Sequence, residues 1–422
     1  MTDEKKVKFQ PVKGMRDFML EDAEKLNFVL DTIRKVFEQY GFRPLETPAL
    51  ESFDLLAAKG GYGEAAKNEI YYFKDKSERE LGLRFDLTMP LIRVFISSPT
   101  VPKPFKRYAI GKVWRYDNPQ AQRYREFFQA DIDVIGSSST SAEAECVSAV
   151  IDVLKELGIE EFFVRVNNRK LVENAFKIAG ITDDKIADAF RIVDKLDKIG
   201  EKGVREELEK KDIDPKEIIK FVAMTGNNDD MIKELGGRYR DGVDEIKDLL
   251  RIAREQGFDG YLKIDTSLVR GLDYYTGLVF EVMISDSKVS CGGGGRYDNI
   301  IKTLGGPDSP ATGISIGVDR ILPFVKVKRP QRRFFIASTN DKMRVRAAEI
   351  AKSLRGFGFI CDIDLMGRKF NKQIEYADAT GADFLIIVGE KEIAKGNIKL
   401  KNMKTGEERD ISVNGLEELK KC

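Results

Sequence analysis

The chain has 422 residues, 42% hydrophobic and 33% charged, enough to build the cores of two or three soluble globular domains. Its 71 Lys and Arg nearly cancel its 70 Asp and Glu, so net charge does not advertise a nucleic-acid binder. It contains no histidine, which excludes imidazole as a base, nucleophile partner or metal ligand, and with it the common Ser-His and Cys-His hydrolase mechanisms. Cys146, Cys291, Cys361 and Cys422 are scattered without a C-x-x-C pair, which argues against a structural zinc site and fits a reducing compartment. The N-terminal MTDEKKVKFQ has no apolar signal segment, and no apolar run approaches the roughly 18 residues needed to span a membrane, so a cytoplasmic location is expected.

In chain order, Glu21 to Tyr40 reads as an amphipathic helix. Leu26, Leu30, Ile33, Phe37 and Tyr40 recur at three- and four-residue steps, and Gly41 is a suitable stop. FRPLETPAL follows and is predicted to be extended, because each Pro disfavours helix at the residue before it. Phe105 to Tyr116 and Arg125 to Ile135 alternate like two strands of a hairpin around a polar loop, Asp117 to Tyr124. In the second strand Phe128, Ala130, Ile132 and Val134 share one face, while Gln129, Asp131 and Asp133 share the other. That polar face is either solvated sheet or, since Arg115 and Arg123 flank the same loop, one wall of a mixed-charge cleft.

From about 166 to 258 the pattern changes to short helices with charged outer faces: LVENAFKIAGI, IADAFRIVDKLDKIG, VREELEKK and GVDEIKDLLRIAREQGF. The sheet pattern resumes at Tyr261. RGLDYYTGLVFE (Arg270 to Glu281) then sets an Arg, an Asp and two Tyr before an apolar alternation in which Leu278, Phe280 and Val282 suit a core face. CGGGGRYD (Cys291 to Asp298) carries a Gly run that packs nothing itself. Such a run marks either close backbone approach to a ligand or a hairpin with a flexible turn. After Ile321 a basic linker, KVKRPQRR, leads to alternating strand and helix: FFIAST, MRVRAAEIAKSLRGFGF and FLIIVG. Residues 331–422 hold 18 Lys and Arg against 14 Asp and Glu, while the rest of the chain holds 53 against 56. A mildly basic C-terminal domain permits RNA contact without demanding it.

RGLDYYTGLVFE and GGGGRYD resemble the two signature segments of the histidyl-tRNA synthetases, a family of class II aminoacyl-tRNA synthetases. The resemblance extends to PVKGMRDF (Pro11 to Phe18), LRFDLTMP (Leu83 to Pro90), VWRYDNPQAQRYREFFQADIDVIG (Val113 to Gly136) and TGISIGVDRI (Thr312 to Ile321). It implies an α+β fold: a catalytic domain from 1–165 and 259–325 built on an antiparallel sheet with flanking helices. A helical insertion at 166–258 and an α/β anticodon-binding domain at 331–422 would complete it. The first helix, the strand after it and Pro48 would form the interface of a homodimer.

The same resemblance implies ATP, with magnesium on its phosphates, L-histidine and histidine tRNA as ligands. No motif fixes the magnesium ligands. Activation joins the amino acid carboxylate to the α-phosphate and expels pyrophosphate. The carboxylate is already ionised, so the step calls for positioning and cations rather than a base. By resemblance Arg115 grips the α-phosphate, Arg270 meets it from the opposite side, Arg320 holds the γ-phosphate and Arg123 assists. Phe127 stacks on adenine and Asp117 lies near it. Asp86 and Thr88 match the positions that bind the α-amino group, with Gln129 on the same polar face. Asp133 matches an acceptor for an imidazole N–H, and Tyr275 and Tyr297 complete that pocket, with Tyr274 readable as a core aromatic. The loop DNPQAQR lacks the extra arginines that help some relatives read the additional 5′ nucleotide of this tRNA, leaving Gln120 as the candidate contact. Two alternatives are a catalytically silent relative, such as the regulatory subunit of ATP phosphoribosyltransferase or a tRNA-sensing domain, and a class II synthetase for another amino acid. The intact arginines and C-terminal domain weigh against the first, and the two signature segments against the second.

Overall fold

A computed structural model describes residues 9–58, 69–98, 100–118, 123–239, 241–269, 274–285, 290–326 and 332–421. The chain divides into two compact units, 1–327 and 328–422. Arg270, its neighbours to Asp273, and Gln120 lie outside the described residues.

In the first unit the strands are β1 (Arg43–Pro44), β2 (Leu50–Ser52), β3 (Tyr72–Lys74), β4 (Glu80–Leu83), β5 (Phe105–Trp114), β6 (Glu126–Ile135), β7 (Phe162–Asn168), β8 (Leu262–Ile264), β9 (Leu278–Ile284), β10 (Ser290–Arg296) and β11 (Ala311–Gly317). Eight of them form one sheet in the order β1-β5-β6-β11-β10-β9-β7-β8, and β2-β4-β3 form a small second sheet. The interior of the large sheet is antiparallel, as expected, but both edges are parallel: β1 pairs with β5 and β8 with β7 in that sense. Each edge pair is separated by a long connection, and a parallel pair needs one.

The helix Glu21–Gln39 buries Leu26, Val29, Ile33, Val36 and Phe37 against this sheet's core, and Gly41 leaves it at φ 76°. Tyr40 then donates from its hydroxyl to Asp152 at 2.6 Å on the helix Ser141–Glu156. That second helix is apolar almost all round, with Cys146, Val147, Val150, Ile151 and Leu154 buried, as its position under the sheet demands. β7 continues through Asn168, so the helical stretch begins at Arg169 rather than at 166. The backbone stays extended until the Asn168 side chain caps the next helix by accepting from Lys170 N–H. The stretch also contains helices at Lys216–Val222 and Asn228–Arg238 that the sequence pattern passes over. The first spans only seven residues, too few turns to show a period, and the second offers only Met231, Ile232 and Leu235 as apolar positions.

The second unit has β12 (Arg333–Ser338), β13 (Ile360–Ile363), β14 (Phe384–Val388), β15 (Asn397–Asn402) and β16 (Glu408–Ser412), in the order β13-β12-β14-β15-β16. The first three are parallel and the last two antiparallel. Phe334 and Ile336 pack with Ile350 and Leu354 of the helix Asp341–Gly356, while Phe335 and Ala337 pack with Ala377 of the helix Phe370–Ala379. Alternate residues of one strand thus face opposite helical layers, which explains why FFIAS is apolar throughout. Among the described residues no helix is long and apolar enough to cross a membrane.

Candidate active site

β6 lies between β5 and β11. Gln129, Asp131 and Asp133 on β6 stand opposite Gly111, Ala109 and Arg107 on β5, and opposite Gly317, Ser315 and Gly313 on β11. Apart from Arg107, whose guanidinium meets Asp133, the flanking residues are small, and larger ones would fill the space above the row. A Cβ at Gly313 would sit 2.1 Å from Asp133 Oδ1, and one at Gly294 on β10 would sit 2.1 Å from the Gly313 carbonyl. The Gly run is therefore neither a turn nor a loop. It is strand β10 itself, pressed against β11 and forming part of the floor.

Over this floor is a cavity of about 320 Å³. Asp86, Thr88, Arg115, Asp117, Arg123 and Phe127 line it, and so do Gln129, Asp133, Tyr275, Tyr297 and Arg320. Every site residue expected from the sequence that is described lies here. Asp131 and Asp133 are buried, so the polar face of β6 is a cavity wall and not solvated sheet.

The wall has two ends. From Phe127 to Asp133 a strand advances about 20 Å. At the Phe127 end the Arg115 guanidinium lies 5.2 Å from the Phe127 ring and donates Nε–H to the Phe85 carbonyl at 3.1 Å. Arg123 donates to Asp117 Oδ2 from Nε at 3.1 Å and from Nη2 at 2.7 Å. Arg320 donates from Nη1 to the Ser290 carbonyl at 2.5 Å. At the other end Tyr297 donates its hydroxyl to Asp133 Oδ1. Burial, followed by the Asp133 charge, raises the Tyr297 pKa well above its ordinary value, so it stays a neutral donor. The Tyr274 and Tyr275 rings lie 4.2 Å apart, and both line the cavity, so Tyr274 is more than a core aromatic. Asp86 Oδ1 accepts from the Thr88 and Met89 amides at 3.2 and 3.0 Å, capping the helix Thr88–Ile96 and fixing its own orientation.

Several residues were not singled out by sequence reasoning. Arg107, fully buried, lies 2.7 Å from Asp133 Oδ2 and donates Nη2–H to the Leu87 carbonyl at 3.0 Å. Asp131 is buried beside Asp133, and its carboxyl is pushed up to about 7 by that burial, with Arg107 opposing. Asp319 accepts from Arg16 Nη2 at 2.7 Å and from the Phe128 amide at 2.7 Å. Arg16 is stacked between Phe18 and Tyr124, its guanidinium 4.3 and 4.1 Å from the ring centres. PVKGMRDF thus ties the N-terminal segment to the loop after β5 and to the helical turn that carries Arg320. The signal was present, since Arg16 and Asp319 stand inside the conspicuous segments, but their partners are over a hundred positions away in sequence.

An antiparallel sheet whose strands expose arginines, an aromatic and a carboxylate cluster along one cavity is the catalytic fold of a class II aminoacyl-tRNA synthetase. The histidyl-tRNA synthetase family model matches residues 14–321, and an anticodon-binding domain model matches 333–421. The histidine--tRNA ligase of Pyrococcus horikoshii is 35% identical, over 96% of this chain and 97% of that protein. The crystal structure of histidyl-tRNA synthetase from Nostoc sp. PCC 7120 superposes with a TM-score of 0.88 at 31% identity, covering 99% of this chain and all of that one. A Bacillus halodurans structure described as an ATP phosphoribosyltransferase regulatory subunit/histidyl-tRNA synthetase gives 0.76 at 23% identity, over 90% of this chain and 98% of that one, a likeness of fold alone. The chain belongs to the histidyl-tRNA synthetase family.

Proposed function

We propose that this protein activates L-histidine with ATP and transfers it through a histidyl-adenylate to histidine tRNA. The observation that carries this reading is the polarity of this cavity. Phe127, with the Arg115 guanidinium 5.2 Å from its ring, marks one end, Asp133 with the Tyr297 hydroxyl on it marks the other, and Gln129 and Asp131 stand between them on β6. A polyphosphate with a base suits the first end, and an ammonium with an imidazole suits the second.

In this reading Asp86, Thr88 and Gln129 hold the ammonium, and Asp133, kept in place by Arg107 and Tyr297, accepts an imidazole N–H while Tyr275 closes the pocket. A carboxylate oxygen of histidine attacks the α-phosphorus, the bond to the β-phosphate oxygen breaks, and pyrophosphate leaves with the electron pair. Arg115 and Arg270 stabilise the charge that spreads over the α-phosphate oxygens. Arg123 and Arg320 bind the remaining phosphates, Phe127 offers its ring to adenine, and Asp117 orders Arg123 beside it. Arginine suits these roles because it stays charged and donates in a fork. Magnesium is read as arriving on the nucleotide phosphates, as part of the substrate.

The helical segment 166–258 is read as an insertion into the catalytic domain, and 331–422 as the domain that contacts the anticodon. Gln120 is read as a contact to the acceptor end of the tRNA. The helix Glu21–Gln39 with the extended segment after it is read as a homodimer surface, and the protein as cytoplasmic. A silent relative would have no use for the full set of arginines. ATP–pyrophosphate exchange with each of the common amino acids tests the reading. Exchange with histidine alone is expected, and exchange with another amino acid, or none, would reject it.

A further inference from the structure

On the amino acid side of the cavity a short relay of hydrogen bonds has a definite direction. Ser315 donates its hydroxyl to Asp131 Oδ1 at 2.5 Å and accepts from Gln129 Nε2 at 2.8 Å. A hydroxyl has one proton to give. Once it is committed to a carboxylate, Ser315 can only accept from the Gln129 amide, so the amide must turn its NH₂ toward β11 and its oxygen away. That oxygen, Gln129 Oε1, is buried and has no hydrogen-bond partner among the described residues, and Gln129 lines the cavity. Buried acceptors are almost always satisfied in a finished core, so one left over beside a cavity has room for a donor, from water in the empty site and from a ligand in the filled one.

We infer that Asp131 is a positioning residue: acting through Ser315, it holds the Gln129 amide with its oxygen toward the cavity, as an acceptor for the ammonium of the bound amino acid. This rests on the amino acid-activating function proposed above and names what sets the polarity of that site. An amide at position 131 no longer enforces this direction and permits the reverse. Its NH₂ can donate to Ser315, the hydroxyl can then donate to Gln129 Oε1, and the flipped amide would present N–H groups to an ammonium.

The charged and titratable groups around Asp131 come from every neighbouring element: Arg107 on β5, Asp133 on its own strand, Asp86 before the helix Thr88–Ile96, Arg84 just after β4, and Tyr274 before β9. Burial raises the Asp131 carboxyl to about 7, with Arg107 and the Ser315 hydrogen bond opposing and Asp133 and Asp86 reinforcing. Above that pH the carboxylate enforces the relay. Below it the protonated acid can donate as well as accept, and Ser315 is released.

The test is histidine-dependent ATP–pyrophosphate exchange by the full chain and by Asp131→Asn, between about pH 6 and about pH 8.5, a span that brackets the carboxyl and the free imidazole. At the alkaline end Asp131→Asn should raise the KM for histidine about ten- to a hundredfold, the worth of a charged hydrogen bond, with kcat and the KM for ATP little changed. The ratio of the two histidine KM values should shrink as pH falls through the titration of Asp131, and the titration of histidine itself cancels in that ratio. A merely structural role would move kcat and the ATP constant too, without the pH trend. In the Ser315→Ala background Asp131→Asn should add less than about twofold, because the relay is already cut. An unchanged histidine KM, a pH-independent ratio, or an equal effect in both backgrounds overturns the inference; the last result would mean that Asp131 meets the ammonium itself. If Asp131→Asn does not fold, Ser315→Ala alone must raise the histidine KM, with the same pH trend relative to wild type, and a flat ratio overturns it. Wild-type protein without histidine-dependent exchange rejects the functional reading itself, a result visible before any variant is made.

Discussion

Two of the buried arginine–carboxylate pairs at the large sheet have opposite characters. Arg296 on β10 and Glu143 on the helix Ser141–Glu156 form a completed pair, their side chains 8% and 1% exposed. Arg296 donates Nε–H to Glu143 Oε1 at 2.5 Å, Nη2–H to Oε2 at 2.7 Å and Nη1–H to the Ser137 carbonyl at 3.0 Å. Arg107 and Asp133 are as deeply buried, at 1% and 5%, but Arg107 Nε and Nη1 have no partner among the described residues, and Asp131 and Asp86 crowd further negative charge nearby. Residue types do not distinguish the two. Completion does. A saturated buried pair ties a helix to a strand, whereas this one leaves guanidinium N–H groups open to an acceptor, and the carboxylates crowded beside it favour a cationic group in the adjoining cavity.

Removing residues 331–422 should have the largest effect and leave this contrast untouched, since both pairs belong to the first unit. Charging of tRNA should be lost while histidine-dependent pyrophosphate exchange persists at least in part. A soluble truncated protein that still charges tRNA at the normal rate would refute the assignment of the C-terminal domain. Glu143→Gln tests the completed pair. It leaves Arg296 buried and poorly compensated, so urea unfolding should reveal a loss of about 3–5 kcal/mol. Among molecules that remain folded, the histidine KM should stay near normal. A lowered affinity for histidine at unchanged stability would erase the distinction between the pairs.

Arg270→Ala should lower pyrophosphate exchange by about 10²–10³, the loss expected on removing one donor to a developing phosphate charge, with the unfolding transition unmoved. Arg270→Lys should restore only part of it, because a point charge lacks the fork. Near-normal exchange by the Ala variant would remove Arg270 from the site. Asp133→Asn probes the unsaturated pair. Loss of a charged acceptor should raise the histidine KM about ten- to a hundredfold and leave the KM for ATP nearly unchanged. Equal histidine KM values would show that Arg107 and Asp133 are as purely structural as Arg296 and Glu143.

The last effect is a pH slope. The Asp131 carboxyl stands at about 7 when folded against an ordinary 3.8. Between those values the folded protein retains a proton that the unfolded chain has released, so stability of the ligand-free protein should fall as pH rises from about 4 to about 7. Asp131→Asn should flatten that fall in thermal unfolding measured across the range. An identical slope in the variant would assign it to other groups.

How much of this was legible without coordinates varied along the chain. The helix Glu21–Gln39 and the strands β5 and β6 announce themselves, because a long amphipathic helix and a half-buried strand each impose a period on consecutive residues. The short helices Lys216–Val222 and Asn228–Arg238, and the strand β16, show no such period, while β15 alternates over only Ile398 and Leu400 against Lys399 and Lys401 and is passed over. The Gly run could be read as a turn until its pairing with both β9 and β11 made it a central strand.

The sequence by itself determined which residue types line the reaction cavity, and the alternation on β6 already set Gln129, Asp131 and Asp133 on one face, since a strand's period of two is a local property of the backbone. The family followed from the segments RGLDYYTGLVFE and GGGGRYD, which are legible residue by residue. Only the tertiary structure decided which of those charges are finished and which are not. Arg107 reaches Asp133, Arg296 reaches Glu143, Arg16 reaches Asp319 and Ser315 reaches Asp131, each across a strand register or a helix packing that no local pattern encodes. Hydrogen-bond satisfaction depends on distances of a few ångströms between residues remote in sequence, so whether a buried carboxylate is a strut or a binding site becomes visible only once the sheet is assembled.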